Sequence, residues 1–143
     1  MSAVDFLDTN VLIYVVDRRN SIKQGIAQRL VFESLISGQG IISFQVVQET
    51  LQTLTRKARQ VAPTSEAAEF FHAVLTPLWR VQPTGPLYDR ALQVQEQQGF
   101  SFYDSLIVAA ALEANCKRLL TEDLQHGQNI GSLRIENPFL AQE

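Results

Sequence analysis

Four acidic residues occur where a fold of alternating strands and helices would place chemistry. Asp8 follows one short apolar run, and Asp123 follows another that ends at Thr121. Glu49 and Asp104 lie in the first turns of segments with helical periodicity. In open parallel sheets, ligands bind beyond the carboxyl ends of the strands. We therefore expect these side chains to form one common site.

A convergence of carboxylates favours a hard divalent cation. Asp104 shares a helix face with the apolar residues Ile107 and Ala111, and an ionised carboxylate there is costly unless a positive charge meets it. No lysine or arginine is close in sequence. Oxygen ligands without histidine or cysteine point to Mg²⁺ or Mn²⁺ rather than zinc. Such ions activate water and stabilise charge on phosphoryl oxygens, so the pattern predicts cleavage of phosphate esters.

Each acid also has a purely structural interpretation. Asp8 could cap the helix that follows it. Asp104 stands three positions after Ser101, which is the spacing of a capping box. Glu49 could be a solvated helix residue, and Asp123 a turn residue. The combination of the four acids, rather than any single one, favours a site.

The apolar periodicity predicts an α/β fold. Strands are predicted at 4–7, 41–43, 78–81, 118–121 and 133–135, and helices from about residue 9 and at 22–37, 45–58, 63–75, 88–97 and 104–112. The last of these helices is apolar on nearly every side and is expected to be buried. Short strands alternating with helices predict a mostly parallel sheet wrapped by helices. Because there is no repeat or linker, we expect a single domain over residues 1–143.

Composition narrows the class of protein. The chain has 143 residues, of which 45% are hydrophobic and 19% charged, as expected for a folded protein. The net charge of −3 neither favours nor excludes nucleic-acid binding. The longest apolar run, 106–112, is too short for a membrane span, and the N-terminus resembles no signal peptide, so a cytoplasmic protein is expected.

The single cysteine, Cys116, excludes an internal disulfide and is expected to be a small buried hydrophobe. His72 and His126 are expected at the surface.

Four segments resemble the motifs of PIN domains, in the same order along the chain. Residues 6–14 (FLDTNVLIY) resemble the opening motif, Gln48-Glu49 the second acid, and residues 101–111 (SFYDSLIVAAA) the third acidic motif. Residues 120–127 (LTEDLQHG) with 133–139 (LRIENPF) are similar to the C-terminal part of VapC-type toxins. The resemblance covers essentially the whole chain.

This resemblance implies a three-layer α/β/α sandwich with a small, mostly parallel sheet, and Mg²⁺- or Mn²⁺-dependent cleavage of RNA. It implies metal ligands at four positions, namely Asp8, Glu49, Asp104 and Asp123. Thr121 would support the fourth acid or its water, and Asn10 would shape the turn around Asp8. Toxins of this type usually pair with a small antitoxin that covers the site, and they commonly form homodimers. RNA, an antitoxin and a second copy of the chain are therefore the expected partners.

Several alternatives stay open at this stage. The basic clusters Arg56-Lys57-Ala58-Arg59 and Arg18-Arg19 could be solvated helix ends or phosphate contacts. Phe70 and Phe71, in the predicted helix 63–75, could face a second subunit or an antitoxin, or belong to the core.

Two other functions compete with a ribonuclease. The first is a phosphatase or phosphotransferase with Asp8 as nucleophile; such enzymes often carry a second acid two residues later, where this chain has Asn10. The second is a catalytically silent RNA-binding module, against which the four intact acids argue.

Overall fold

The computed structural model describes residues 4–56 and 64–140. The strands are β1 (Asp5–Leu7), β2 (Gly40–Ser43), β3 (Trp79–Val81), β4 (Arg118–Leu120), β5 (Asn129–Ile130) and β6 (Leu133–Glu136). The helices are α1 (Thr9–Val16), α2 (Ser21–Ser37), α3 (Phe44–Thr55), α4 (Thr64–Phe70), α5 (Thr76–Leu78), α6 (Gly85–Gln98) and α7 (Phe102–Glu113).

The strands form one sheet in the order β3-β2-β1-β4-β6-β5. All neighbouring strands are parallel except β5 and β6, which are antiparallel. β1 and β4 are adjacent, with Leu7 opposite Leu120. Because they run in the same direction, the residues that follow them, Asp8 and Thr121, emerge at the same edge of the sheet.

Helices cover both faces of this sheet. All four residues of β2 are buried, which is the pattern of a parallel strand covered on both sides. α1 packs on α2, and α6 packs on α7. Every residue of α7 from Ser105 to Ala111 is buried, as predicted for a central helix. The predicted three-layer α/β/α fold is confirmed.

Local hydrogen bonds begin the helices that surround the strand ends. The Asp8 carboxylate accepts from the backbone N–H of Thr9 at the start of α1. Ser43, the last residue of β2, caps α3, and Ser101 caps α7 through the backbone N–H of Asp104. These caps satisfy backbone donors that a helix leaves free in its first turn. The interpretation of Asp8 as a helix cap is thus confirmed. Ser101 caps α7, but within the described residues the Asp104 carboxylate does not return the hydrogen bond that would complete a capping box.

The helix boundaries depart from the predictions in several places. α6 begins at Gly85 rather than residue 88, because Thr84 is its cap and Pro86 is tolerated in a first turn. α7 begins at Phe102 rather than Asp104. The helix predicted at 63–75 is α4, which continues through a π-helical turn (Phe71–Leu75) into α5. Pro77 accounts for the wider turn, since it lacks an N–H and its ring clashes with the preceding turn of an α-helix.

Other expectations have mixed outcomes. The helix predicted at 45–58 ends earlier, at Thr55, because the backbone of Arg56 is extended. Lys57, Ala58, Arg59 and Pro63 lie outside the described residues. Phe70 belongs to the core, and Phe71 packs partly buried against it. Cys116 is buried as expected, and burial raises the pKa of its thiol to about 12. Both histidines are exposed. None of the described helices is both long and apolar enough to cross a membrane.

Candidate active site at the carboxyl ends of two strands

Asp8 is a buried carboxylate immediately after β1. Only 6% of the surface of Asp8 is exposed. The backbone N–H of Thr9 donates to Asp8 Oδ1 at 2.7 Å, and the hydroxyl of Thr121 donates to Asp8 Oδ2 at 2.7 Å. Both carboxylate oxygens are therefore oriented by residues at the carboxyl ends of β1 and β4.

Thr121 connects Asp8 to the turn that follows β4. Its hydroxyl donates its proton to Asp8 and accepts from the Asn10 side-chain amide at 3.2 Å and from the backbone N–H of Asp123 at 3.1 Å. The residue is fully buried. Since a hydroxyl has one proton and two lone pairs, every hydrogen-bonding capacity of Thr121 is used.

Asn10 joins this network to Asp123. Its Nδ2 also donates to Asp123 Oδ2 at 3.2 Å, and Asp123 is exposed. Asn10 Oδ1 is buried and accepts no hydrogen bond within the part of the chain that the structure describes. An unpaired buried acceptor beside two carboxylates leaves room for an additional donor or cation at this position.

Glu49, on α3, is brought to the same place by two side chains. The hydroxyl of Thr9 donates to Glu49 Oε1 at 2.7 Å, and the amide of Gln45 donates to Glu49 Oε2 at 3.2 Å. Thr9 thus holds Asp8 through its backbone and Glu49 through its hydroxyl. The half-buried Glu49 is the second acid of the network.

Asp104 stands beside the network rather than within it. It is half-buried in the first turn of α7, and its carboxylate makes no hydrogen bond or ion pair among residues 4–56 and 64–140. The connection is indirect, because Gln45 Nε2 donates both to Glu49 and to the backbone oxygen of Tyr103 at 3.1 Å. The carboxylate that is buried at the greatest cost is therefore Asp8, not Asp104 as the sequence had suggested.

Burial dominates the electrostatics of Asp8. Desolvation raises the pKa of its carboxyl from 3.8 to about 7. The hydrogen bonds from Thr121 and Thr9 oppose this rise in the pKa, whereas the charges of Asp123 and Glu49 add to it. An ionised Asp8 at neutral pH is thus under-stabilised by the protein alone, which is the situation that a bound cation relieves.

Two residues of the network were not predicted. Gln45 is 4% exposed and lies four positions before Glu49, so the two share a face of α3; this spacing was a usable signal. Thr9 carried no such signal, because its contact with Glu49 spans 40 residues of sequence.

A second unpredicted cluster braces the turn after β4. The hydroxyl of Tyr14 donates to Glu122 Oε1 at 2.6 Å, and Lys23 Nζ lies 2.9 Å from Glu122 Oε2. Lys23 also lies over the Tyr14 ring, 5.1 Å from its centroid. These contacts fix the Glu122 side chain. Because Glu122 lies between Thr121 and Asp123 in the chain, they also help to position the turn that carries Asp123.

The donor set fits a hard cation in its chemistry. It offers the carboxylate oxygens of Asp8, Glu49 and Asp123, with Asp104 alongside, and the unpaired oxygen of Asn10. These are the ligand types of Mg²⁺ and Mn²⁺. Within the described residues, no three acidic, histidine or cysteine side chains stand close enough together to hold a metal ion. The carboxylates of Asp8, Glu49 and Asp123 accept hydrogen bonds from neighbouring groups, and a cation would have to replace some of these bonds.

Comparison with protein families identifies the class. The family model of the PIN domain matches residues 6–128, a range that contains every residue of the network. The chain belongs to the PIN domain family. No curated protein matches the chain.

Solved structures share this fold at low sequence identity. VapC20 of Mycobacterium tuberculosis, a sarcin–ricin loop cleaving toxin, is 21% identical, with a TM-score of 0.61 over 83% of this chain and 89% of that one. VapBC2 of Rickettsia felis, bound to promoter DNA, is 17% identical, with a TM-score of 0.68 over 94% and 98% of the two chains. VapBC-1 of nontypeable Haemophilus influenzae is 22% identical, with a TM-score of 0.61 over 94% and 98%. At this identity the similarity shows the fold alone.

Proposed function

We propose that this protein is a Mg²⁺- or Mn²⁺-dependent endoribonuclease and the toxin of a toxin–antitoxin pair. The observation that carries the proposal is the hydrogen-bond network that joins Asp8 and Asp123, which follow β1 and β4, to Glu49 on α3, in a PIN fold. The VapC-type proteins that share the fold include an RNA-cleaving toxin and complexes of toxin with antitoxin, and this supports the assignment.

In the proposed mechanism, Asp8, Glu49, Asp104 and Asp123 would hold the divalent cation. When bound, such a cation lowers the pKa of a coordinated water and stabilises negative charge on phosphoryl oxygens. The chain supplies the positioning. Thr121 and the backbone of Thr9 fix both oxygens of Asp8. Asn10 fixes Asp123 relative to Thr121. Gln45 and Thr9 fix both oxygens of Glu49.

The partners are part of the proposal. We infer RNA as substrate, a small antitoxin that covers the acids, a homodimer and a cytoplasmic location. The structures similar to this chain include a toxin–antitoxin complex from Klebsiella pneumoniae, which favours an antitoxin partner for this chain as well.

The test is cleavage of end-labelled cellular RNAs by the purified protein, freed of any antitoxin. We expect cleavage with Mg²⁺ or Mn²⁺ that stops on chelation and is abolished in Asp8→Asn. The matched control is Asp89→Asn, which neutralises an exposed carboxylate on α6 and should cleave like wild type. Full activity in chelator, or no cleavage of any RNA with either metal, contradicts the proposal. A trapped aspartyl-phosphate on Asp8 would identify a phosphatase instead.

A further inference from the structure

Three aromatic residues form a surface next to the candidate active site; we call Tyr88, Phe102 and Tyr103 the aromatic platform. Tyr103 is 65% exposed and Tyr88 is 39% exposed. Aromatic rings of this size are usually placed where their apolar faces are covered. The platform lies across the adjoining starts of α6 and α7.

The platform is held in place by its own ring contacts. Tyr88 and Phe102 lie nearly parallel, with an interplanar angle of 8° and centroids 6.5 Å apart. Tyr103 meets the Phe102 ring edge to face at 5.5 Å. Beneath them, the buried Phe44 contacts Tyr88 at 6.5 Å. Because α6 and α7 pack tightly together, the exposed rings are pre-positioned rather than free to collapse.

A single buried side chain connects the platform to the acids. The amide of Gln45 donates to the backbone oxygen of Tyr103 at 3.1 Å and to Glu49 Oε2 at 3.2 Å. Tyr103 also directly precedes Asp104 in the chain. The backbone of Tyr103 is therefore linked to the Glu49 carboxylate through one amide group.

Each base of a nucleic-acid strand is covalently linked to the phosphodiesters beside it. A phosphodiester placed at the acids therefore brings a neighbouring base to the adjoining surface, where Tyr103 directly precedes Asp104. Resting on the proposed ribonuclease function, we propose that the aromatic platform is a stacking site for an unpaired base of single-stranded RNA beside the cleaved bond, with Tyr103 as its main contact.

Charge alone does not provide this binding. The candidate site is acidic, and Lys23, which lies next to it, is already paired with Glu122. Stacking on aromatic rings contributes about 1–3 kcal/mol per base, equivalent to about 5- to 150-fold in affinity, and requires no positive charge. It also tolerates different bases and selects unpaired ones, because a base in a duplex does not offer its face.

The test uses wild type, Tyr103→Leu, Tyr103→Phe and the control Phe32→Leu, which removes an exposed aromatic on α2. The probes are single-stranded RNA oligonucleotides that carry 2-aminopurine at successive positions, in chelator so that they are not cleaved. We expect wild type to quench the fluorescence at one or two positions. Tyr103→Leu should lose that quenching and bind about tenfold more weakly, while Tyr103→Phe quenches more strongly than Tyr103→Leu. In cleavage assays the Tyr103→Leu defect should appear in KM more than in kcat.

The outcomes separate this inference from the proposed function. If Asp8-dependent cleavage is present but Tyr103→Leu keeps its quenching and its KM, the platform is wrong and the ribonuclease stands. If wild type neither binds nor cleaves RNA, both proposals fail. If Tyr103→Leu changes only the sedimentation coefficient, the platform is a contact between copies of the chain, and the inference is overturned. A thermal melt of each variant shows whether a loss reflects unfolding.

Discussion

Asp8→Asn is expected to stabilise the metal-free protein in a manner that depends on pH. The carboxyl has a pKa of about 7 in the folded protein, against an ordinary value of 3.8. At pH values between these two pKa values, Asp8 keeps its proton in the folded protein but has released it in the unfolded chain. The free energy of unfolding of wild type therefore falls as pH rises from about 4 to about 7 and stays low above that range.

The magnitude follows from the width of this window. At about 1.4 kcal/mol for each pH unit, burial of the Asp8 charge costs the folded state about 4 kcal/mol by pH 7. Because an asparagine does not titrate, the Asp8→Asn variant does not lose this stability as the pH rises. At pH 4 the variant should be the less stable by about 1 kcal/mol, because its amide nitrogen cannot accept one of the two hydrogen bonds that Thr9 and Thr121 donate to the carboxyl. At pH 8 the variant should be the more stable by a few kcal/mol.

Urea unfolding of both proteins from pH 4 to pH 8, in chelator, measures this difference directly. Adding Mn²⁺ at pH 8 should raise the midpoint of wild type more than that of the variant, because binding to the native state stabilises it. A stability difference that is the same at every pH would refute the assignment of the raised pKa to Asp8. The exposed-residue variant Asp89→Asn controls for a general effect of net charge.

Three further substitutions test two hydrogen bonds of the site and one close contact in the fold. Thr121→Val removes the donor to Asp8 and should cost about 1–3 kcal/mol in urea unfolding. The fall in stability should still begin near pH 4 but should continue to a higher pH than in wild type, since the hydrogen bond that lowers the Asp8 pKa is gone. Thr121→Ser should restore both. Gln45→Leu should reduce RNA cleavage about 10- to 100-fold, as expected when a support of a ligand is lost. Its effect on stability should be small, because Gln45 Oε1 already lacks a partner among the described residues. Gly40→Ala should cost about 1–3 kcal/mol, because the new methyl group collides with the Ser34 side chain; a second change, Ser34→Gly, should recover most of this loss.

Much of the fold could be predicted from local patterns. The apolar runs predicted β1, β2 and β4 to within a residue or two, since a strand buried on both faces needs a continuous apolar sequence. β6 was also predicted, although its buried and exposed residues alternate. The two-residue strand β5 was missed. It includes the exposed Asn129 and exists through its antiparallel pairing with β6, so nothing local specifies it.

For the candidate site, too, some features could be predicted from local sequence and others could not. The sequence by itself determined that Asp8 and Thr121 follow apolar strands and that Glu49 and Asp104 lie near helix starts, because these features depend on neighbouring residues alone. It also carried the PIN motifs that the family comparison confirmed.

Only the tertiary structure decided which acid is buried and which side chains hold it. The hydrogen bond between Thr121 and Asp8 spans 113 residues, and the one between Gln45 and Tyr103 spans 58. The raised pKa of Asp8 arises from the helices and strands that exclude water around it. Burial and long-range contacts are properties of the packed chain, so the difference between Asp8 inside the network and Asp104 beside it could not be read from the order of residues.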